Sequence, residues 1–411
     1  MTPLPLEGLT VLDLSRLLPG GFCSLLLADF GAEVVKVEDT GMGDYIRWSP
    51  PHYEGEGDGS ARSALFLSLN RGKRSIRLDL KTEPGREVLL RLVERADVLL
   101  ESFRPGVLHR LGVGYERLRE RNPAIVYCAI TGYGQSGPAR DRSGHDINYL
   151  GLGGLLGLTG EADGPPVQSA GQIADIGGGA LMGAIGILIA LRERERSGEG
   201  QLVDCSMFDG ALSWLALVAA EVLAGVGVRR RGQLPLAGGL TCYRPYRCID
   251  GYVTLGALEP KFWSAFCRGV EREDLLDHAF DPPSSPAHRA VEEVLARRTR
   301  QQWREFASEH DCCLEPVLDL DEVLASELVA AREMVVELVQ PGVERPVRQL
   351  GLPIKLSRTP GDPGRAPAPA LGADTDEVLA RAGFGPREIG ALHESGAVAG
   401  PADGPPATGR G

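Results

Sequence analysis

Three short segments of this 411-residue chain hold the side chains with the greatest chemical reach. The first is Gly144-His145-Asp146-Ile147-Asn148-Tyr149, an imidazole in a polar stretch between an Arg/Asp-rich loop and a glycine-rich one. Imidazole changes charge near neutral pH and so can take and return protons, although a lone histidine also serves structure. The second is Gln172-Ile173-Ala174-Asp175-Ile176-Gly177-Gly178-Gly179, an acid followed by glycines that open a long helix. Asp175 reads plainly as an N-cap. The same geometry sets backbone N–H groups and the positive helix end beside a carboxylate, which suits an anionic intermediate. In the third segment, Gly256-Ala257-Leu258-Glu259-Pro260-Lys261-Phe262-Trp263, Glu259 stands at a strand end just before a helix.

A basic run, Asn70-Arg71-Gly72-Lys73-Arg74, precedes a strand that carries Arg77 and leads to Lys81, and Arg104 follows in Glu101-Ser102-Phe103-Arg104-Pro105-Gly106. It is either a solvated face or a place where an acidic protein concentrates cations for the phosphates of an anionic ligand. The net charge of -12 repels polyanions, so a nucleic-acid partner is not expected. Glu38 closes a second strand where a ribose-binding acid would sit. The turn before the first helix, however, is Ser15-Arg16-Leu17-Leu18-Pro19-Gly20-Gly21, without the glycine fingerprint of nicotinamide binding. There is no G-x-S-x-G or H-E-x-x-H segment, and the eight cysteines show no zinc-ligand spacing; reduced, mostly buried thiols and no metal are expected.

These residues need elements to hold them. Strands are predicted at Leu9 to Leu14, Glu33 to Glu38, Ser75 to Leu80, Asp97 to Leu100 and Ile125 to Ile130, alternating with helices at Gly21 to Phe30 and Pro84 to Arg95. Such alternation argues for an α/β fold with a Rossmann-like parallel sheet. A Gly/Ala/Leu-rich helix follows from Gly171 to Arg196, and Asp209 to Ala224 repeats its texture. Residues 1–225 are read as a large domain, 226–235 as a linker, 236–320 as a smaller α+β domain, 321–395 as a return to the large domain and 396–411 as a disordered tail. Val335 to Ile354 is expected to rejoin the sheet as short strands. The opening residues lack a signal-peptide pattern and no uninterrupted apolar run approaches the roughly 20 residues of a bilayer span, so a cytoplasmic protein is expected.

Together the strings LADFGAEVVKVE, NRGKRSIRLDLK, GYGQSGP, GHDINYL, QIADIGGG, GALEPKFW and LGADTDEVL resemble, in content and order, the family III coenzyme A transferases of CaiB/BaiF type, and within them the alpha-methylacyl-CoA racemases. The resemblance runs from about Leu6 to Leu392. It implies a pair of opposed bases, His145 and Asp175, with Glu259 hydrogen-bonding the histidine. It also implies coenzyme A contacts from Leu78, Asp79, Leu80 and Lys81, from Lys73 and Arg104, and from Gly144, Asp146, Ile147, Asn148 and Tyr149. The implied reaction is racemisation of a 2-methylacyl-CoA thioester through an enolate whose oxygen is held by N–H groups near the Asp175 helix start. No cofactor is implied beyond the coenzyme A moiety of the substrate.

The resemblance further implies an interlocked homodimer, with Glu259 reaching His145 across it and no membrane partner. In the transferase branch, the aspartate at the position of Asp175 is instead a nucleophile that moves coenzyme A between carboxylic acids; GHDINYL and GALEPKFW favour the racemase branch. Two departures stand out. Asp39 follows the second strand where racemases carry an arginine, and the insert from His52 to Ala64 is transferase-like in length.

Overall fold

The computed structural model describes residues 3–56, 61–227 and 229–401. The chain forms two compact units, Met1–Gly153 with Gly171–Trp214 and Glu327–Gly411, and Gly154–Ala170 with Leu215–Ser326.

The larger unit is built on a sheet whose strands β1 (Thr10–Asp13), β2 (Glu33–Glu38), β3 (Lys73–Leu78), β4 (Val98–Glu101), β5 (Val126–Thr131) and β6 (Leu202–Ser206) lie in the spatial order 3-2-1-4-5-6, all parallel. Every residue of β4 and β5 is buried, because helices cover both faces of a parallel sheet and leave no polar side. Leu12 of β1 pairs with Val35 on one side and Leu99 on the other. The chain reverses its direction of growth between β1 and β4, and in such sheets this reversal opens a crevice at the carboxyl ends of the strands.

In the smaller unit β7 (Tyr243–Cys248), β8 (Gly251–Gly256) and β9 (Leu314–Pro316) form an antiparallel sheet. Helices Pro260–Gly269, Pro286–Leu295 and Arg300–Glu309 bury Trp263, Phe266, Val291 and Trp303 in its core. The indole N–H groups of Trp263 and Trp303 donate to the carbonyls of Leu275 and Leu295, each at 2.9 Å, so neither polar tip is buried unsatisfied.

Several boundaries depart from the expected ones. The strands β10 (Val335–Leu338) and β11 (Val347–Leu350) pair with each other as a separate two-stranded ribbon and do not rejoin the large sheet. The tail expected to be disordered from residue 396 begins ordered: β12 (Val398–Ala399) adds to β3 as an antiparallel edge strand; residues 402–411 lie outside the described residues. Residues 154–170 and 215–225, read as large-domain sequence, belong to the smaller unit. The helix expected over Asp209 to Ala224 is two, Met207–Ser213 and Ala216–Leu223, since the chain leaves the larger unit between Trp214 and Leu215. Both halves are equally apolar, so periodicity does not reveal the break. In the insert, His52 bridges Ser63 and Tyr53 N–H donates to the Arg62 carbonyl; 57–60 are outside the described residues.

The Ile173–Ser197 helix is 25 residues long, with a mean hydropathy of 1.9 over its most apolar window. By length and composition it could cross a bilayer, contrary to the expectation from the sequence, yet half of that window is buried within the chain. It packs on β5 and on the Leu17–Asp29 helix. Its first nine residues, Ile173–Leu181, wind as a π-helix, an irregularity common at functional positions.

Backbone contact with the Met207–Ser213 helix fixes its position. A Cβ on Gly178 would stand 2.8 Å from the Met207 carbonyl oxygen, and one on Gly210 would overlap the carbonyl of Gly178. Gly210→Ala should therefore lower stability by about 1–3 kcal/mol. Gly390→Ala, in the middle of the Pro386–Glu394 helix with open space around it, should raise it by about 0.5–1 kcal/mol. Urea midpoints of the two variants check both signs.

Candidate active site

The carboxyl edge of the large sheet is held together by buried charge. Asp13, Lys36, Glu38, Asp44, Arg47 and Lys73 are each at most 4% exposed. Lys36 Nζ lies 3.0 Å from Asp44 Oδ2 and donates to the Ser15 carbonyl at 2.9 Å. Arg47 grips Glu38 with two guanidinium nitrogens, at 2.8 and 2.7 Å. Lys73 Nζ lies 3.4 Å from Asp13 and donates to the Gly21 carbonyl and to Asn70. Asp44 also accepts from the amide of Leu17, whose φ of +60° is unusual for a branched residue. The Arg16–Leu18 turn is thus held at the end of β1.

Two cavities open along this edge. One, of about 530 Å³, lies at the reversal point and is lined by Arg16, Phe103, Arg104, Gly144, His145, Tyr149 and Asp175 among others. The other, of about 330 Å³, is lined by Leu78, Asp79, Leu80, Lys81 and Arg110, and shares Arg16 and Phe103 with the first.

His145 caps the Asp146–Leu152 helix; it is exposed, and its amide donates to Asn148 Oδ1 at 3.0 Å. The Tyr149 hydroxyl donates to the Gly144 carbonyl at 2.6 Å, and a Cβ on Gly144 would meet the Tyr149 ring at 2.7 Å. Glycine is therefore the residue that lets the histidine-bearing loop lie against this ring. Tyr133 packs edge-on against Tyr149 at 5.1 Å, with the Arg142 guanidinium 5.6 Å from the Tyr133 ring.

Asp175 is half-buried. Burial pushes its carboxyl up to about 6, the neighbouring Asp146 carboxylate adds to the rise, and His145 opposes it. Asp146, itself buried, accepts from the amides of Ala174 at 2.7 Å and Asp175 at 3.0 Å. One carboxylate next to the imidazole thus caps the helix that carries the other.

The residues 6–375 match the model of CoA-transferase family III. This chain belongs to that family. It is 38% identical over 391 residues to the alpha-methylacyl-CoA racemase of Mus musculus, covering 94% of this chain and 96% of the racemase. It is 37% identical over 392 residues to the succinyl-CoA:mesaconate CoA-transferase of Haloarcula hispanica, covering 92% and 97%. Among solved structures, a CaiB/BaiF family protein from Brucella suis superposes with a TM-score of 0.79 at 33% identity, covering 93% of this chain and all of that one. Racemases and CoA-transferases of the family are thus about equally similar to it.

Within this family III chain, His145, Asp175, Gly144, Tyr149 and Arg104 meet around the larger cavity, and Leu78 to Lys81 line the smaller one. Asp146 lies behind Asp175, while Ile147 and Asn148 are exposed on the helix surface. Glu259 is exposed in the smaller unit, at the start of the Pro260–Gly269 helix, with no capping hydrogen bond from its side chain.

One expectation is corrected and another is narrowed. Lys73 does not face a phosphate: it is enclosed with Asp13, and burial pushes its ammonium down to about 8. The rest of the basic run is also neutralised internally, Arg71 by Asp29 at 2.7 Å and Arg74 by Glu377 at 2.8 Å. Near the start of the Asp175 helix three amides are already taken. Ala174 and Asp175 donate to Asp146, and Ile176 donates to the Gln172 carbonyl. Sequence reading missed Arg16, Arg110, Arg140 and Arg142 as lining residues; their only signal was positive charge in the connections that follow strands.

Because the folded-state value of Asp175 is raised, the native protein holds its proton more tightly than the unfolded chain does. The contribution of Asp175 to stability is therefore fully present below the ordinary carboxylate range and is lost as pH rises through about 6. Asp175→Asn should be more stable than the parent at pH 8 by up to about 3 kcal/mol, less whatever solvent screening removes. That advantage should vanish near pH 3.5, as read from denaturant midpoints at the two pH values.

Proposed function

We propose that this chain is a racemase of 2-methylacyl-CoA thioesters that works by 1,1-proton transfer. The observation that carries the reading is the presence of His145 and Asp175 in one cavity. The Asp175 carboxyl, raised to about 6, can exchange a proton near neutral pH, and it shares the cavity with an imidazole, the side chain most often used as a general acid or base.

In this mechanism one of the two removes the proton alpha to the thioester carbonyl and the other returns a proton to the opposite face of the planar enolate. The amides of Asp146 and Ile147, the first two of the helix that His145 caps, donate to no acceptor among the described residues. They hold the enolate oxygen. Raising the Asp175 pKa brings it closer to the weakly acidic carbon acid and makes its carboxylate a better base. Asp146 contributes to this through its charge and holds the backbone of its partner through its capping bonds.

The coenzyme A moiety serves as the handle and no other cofactor takes part. Its nucleotide occupies the cavity lined by Leu78 to Lys81, where Lys81 supplies positive charge, Arg104 adds positive charge in the larger cavity, and remote binding energy from the nucleotide positions the acyl carbon. We place the protein in the cytoplasm, in line with its eight free cysteines. It acts there as an interlocked homodimer, in which Glu259 from the partner orients His145. Exposed Ile185, Leu188 and Ile189 on the long helix supply apolar surface for such an assembly.

The second reading is a CoA-transferase in which Asp175 is the acyl-accepting nucleophile. It is favoured by the equal similarity to a succinyl-CoA:mesaconate CoA-transferase. The purified protein, incubated with (2R)- and (2S)-2-methylacyl-CoA in deuterium oxide without any acceptor acid, should incorporate label at the alpha carbon with inversion. His145→Ala and Asp175→Ala should each lower this at least about a hundredfold. Absence of exchange, together with coenzyme A transfer once a free acid is added, would establish the transferase instead.

A further inference from the structure

Arg16 occupies a position that the proposed reaction has not yet used. It lines both cavities, and among the described residues only Phe103 shares that wall with it. A ligand with its nucleotide in the smaller cavity and its thioester beside His145 must pass this wall with the linker between the two, and in an acyl-CoA that linker begins with a diphosphate.

The guanidinium is built for such a passage. The Arg16 backbone is anchored on both sides: its amide donates to Ser102 Oγ at 3.2 Å, and the next amide, Leu17, is held by Asp44 at 3.2 Å in a left-handed conformation. A residue held in that region marks a turn that its surroundings over-determine. The side-chain tip, by contrast, has among the described residues a single ionic partner, Asp39 at 2.6 Å, and the Arg16 and Asp39 side chains are 39% and 40% exposed. Asp39 is itself fixed by the amides of Gly41 at 2.8 Å and Gly43 at 3.1 Å. The cation can therefore swing while its anion stays.

We propose that Arg16 binds the diphosphate of the coenzyme A moiety, leaving Asp39 when it does so, and that Asp39 is the internal stand-in that holds Arg16 at the neck of the two cavities in the free protein. The inference rests on the acyl-CoA reading given above. An exposed ion pair holds weakly, whereas a forked guanidinium on a diphosphate makes two charge-assisted hydrogen bonds.

The test is calorimetry on the full chain with coenzyme A, with 3′-dephospho-coenzyme A and, by competition, with pantetheine. Arg16→Gln should weaken binding of both nucleotide ligands about tenfold and leave pantetheine unchanged, and Arg16→Lys should fall between. Asp39→Asn removes the competitor and should tighten coenzyme A binding a few fold. Unchanged coenzyme A affinity in Arg16→Gln overturns the proposal. So does a loss that disappears with the dephospho ligand, which would move the contact to the 3′-phosphate, or an equal loss for pantetheine, which would make the residue merely structural. If the parent protein binds neither nucleotide ligand, the acyl-CoA reading itself is wrong.

Discussion

Six buried charges, three cations and three anions, hold the functional edge of this protein in place. Lys36, Arg47 and Lys73 are matched by Asp13, Glu38 and Asp44, and the remaining lone pairs are taken by Ser15, Ser24 and Ser75. Such a cluster holds only when complete, because removing one member leaves an uncompensated charge in a low-dielectric interior, at about 3–5 kcal/mol. It joins the ends of β1 and β2 to the start of β3, and through Asp44 and Ser15 it fixes the turn that ends at Leu18. The crevice between β1 and β4 therefore has a rigid rim.

On that rim the site is assembled from elements distant in sequence. The imidazole comes from a loop after β5, and the carboxylate from a helix whose glycines allow backbone-to-backbone contact with the Met207–Ser213 helix. Asp146 couples them: it follows His145 in the chain and caps the helix of Asp175. A single carboxylate thus contributes both to the position of Asp175 and to the rise in its pKa, and two functions placed on one residue make that residue hard to replace.

Positive charge is distributed unevenly in this chain of net charge -12. Cations in the basic run, where sequence clustering is densest, are consumed by Asp13, Asp29, Glu33 and Glu377. Those that line the cavities, Arg16, Lys81, Arg104, Arg110, Arg140 and Arg142, are spread over the connections that follow β1, β3, β4 and β5. Focusing by a cleft depends on where charges converge in space, not on their density along the chain.

The strands β1 to β5 and the long helix were legible because a run of apolar β-formers closed by a turn has few alternatives, and motif order then identified the family. Strand β6 was missed because it is a half-exposed edge with Asp204 in its middle. The two residues of β12 were missed because a tail rich in Gly, Pro and Ala carries no strand pattern of its own until β3 offers it an edge. By itself the sequence determined which elements form, since local propensity and burial period are properties of neighbouring residues. Tertiary structure decided which charges are free: whether Lys73 or Arg16 can meet a phosphate depends on partners 60 and 23 positions away, and only folding brings those partners within a few ångströms.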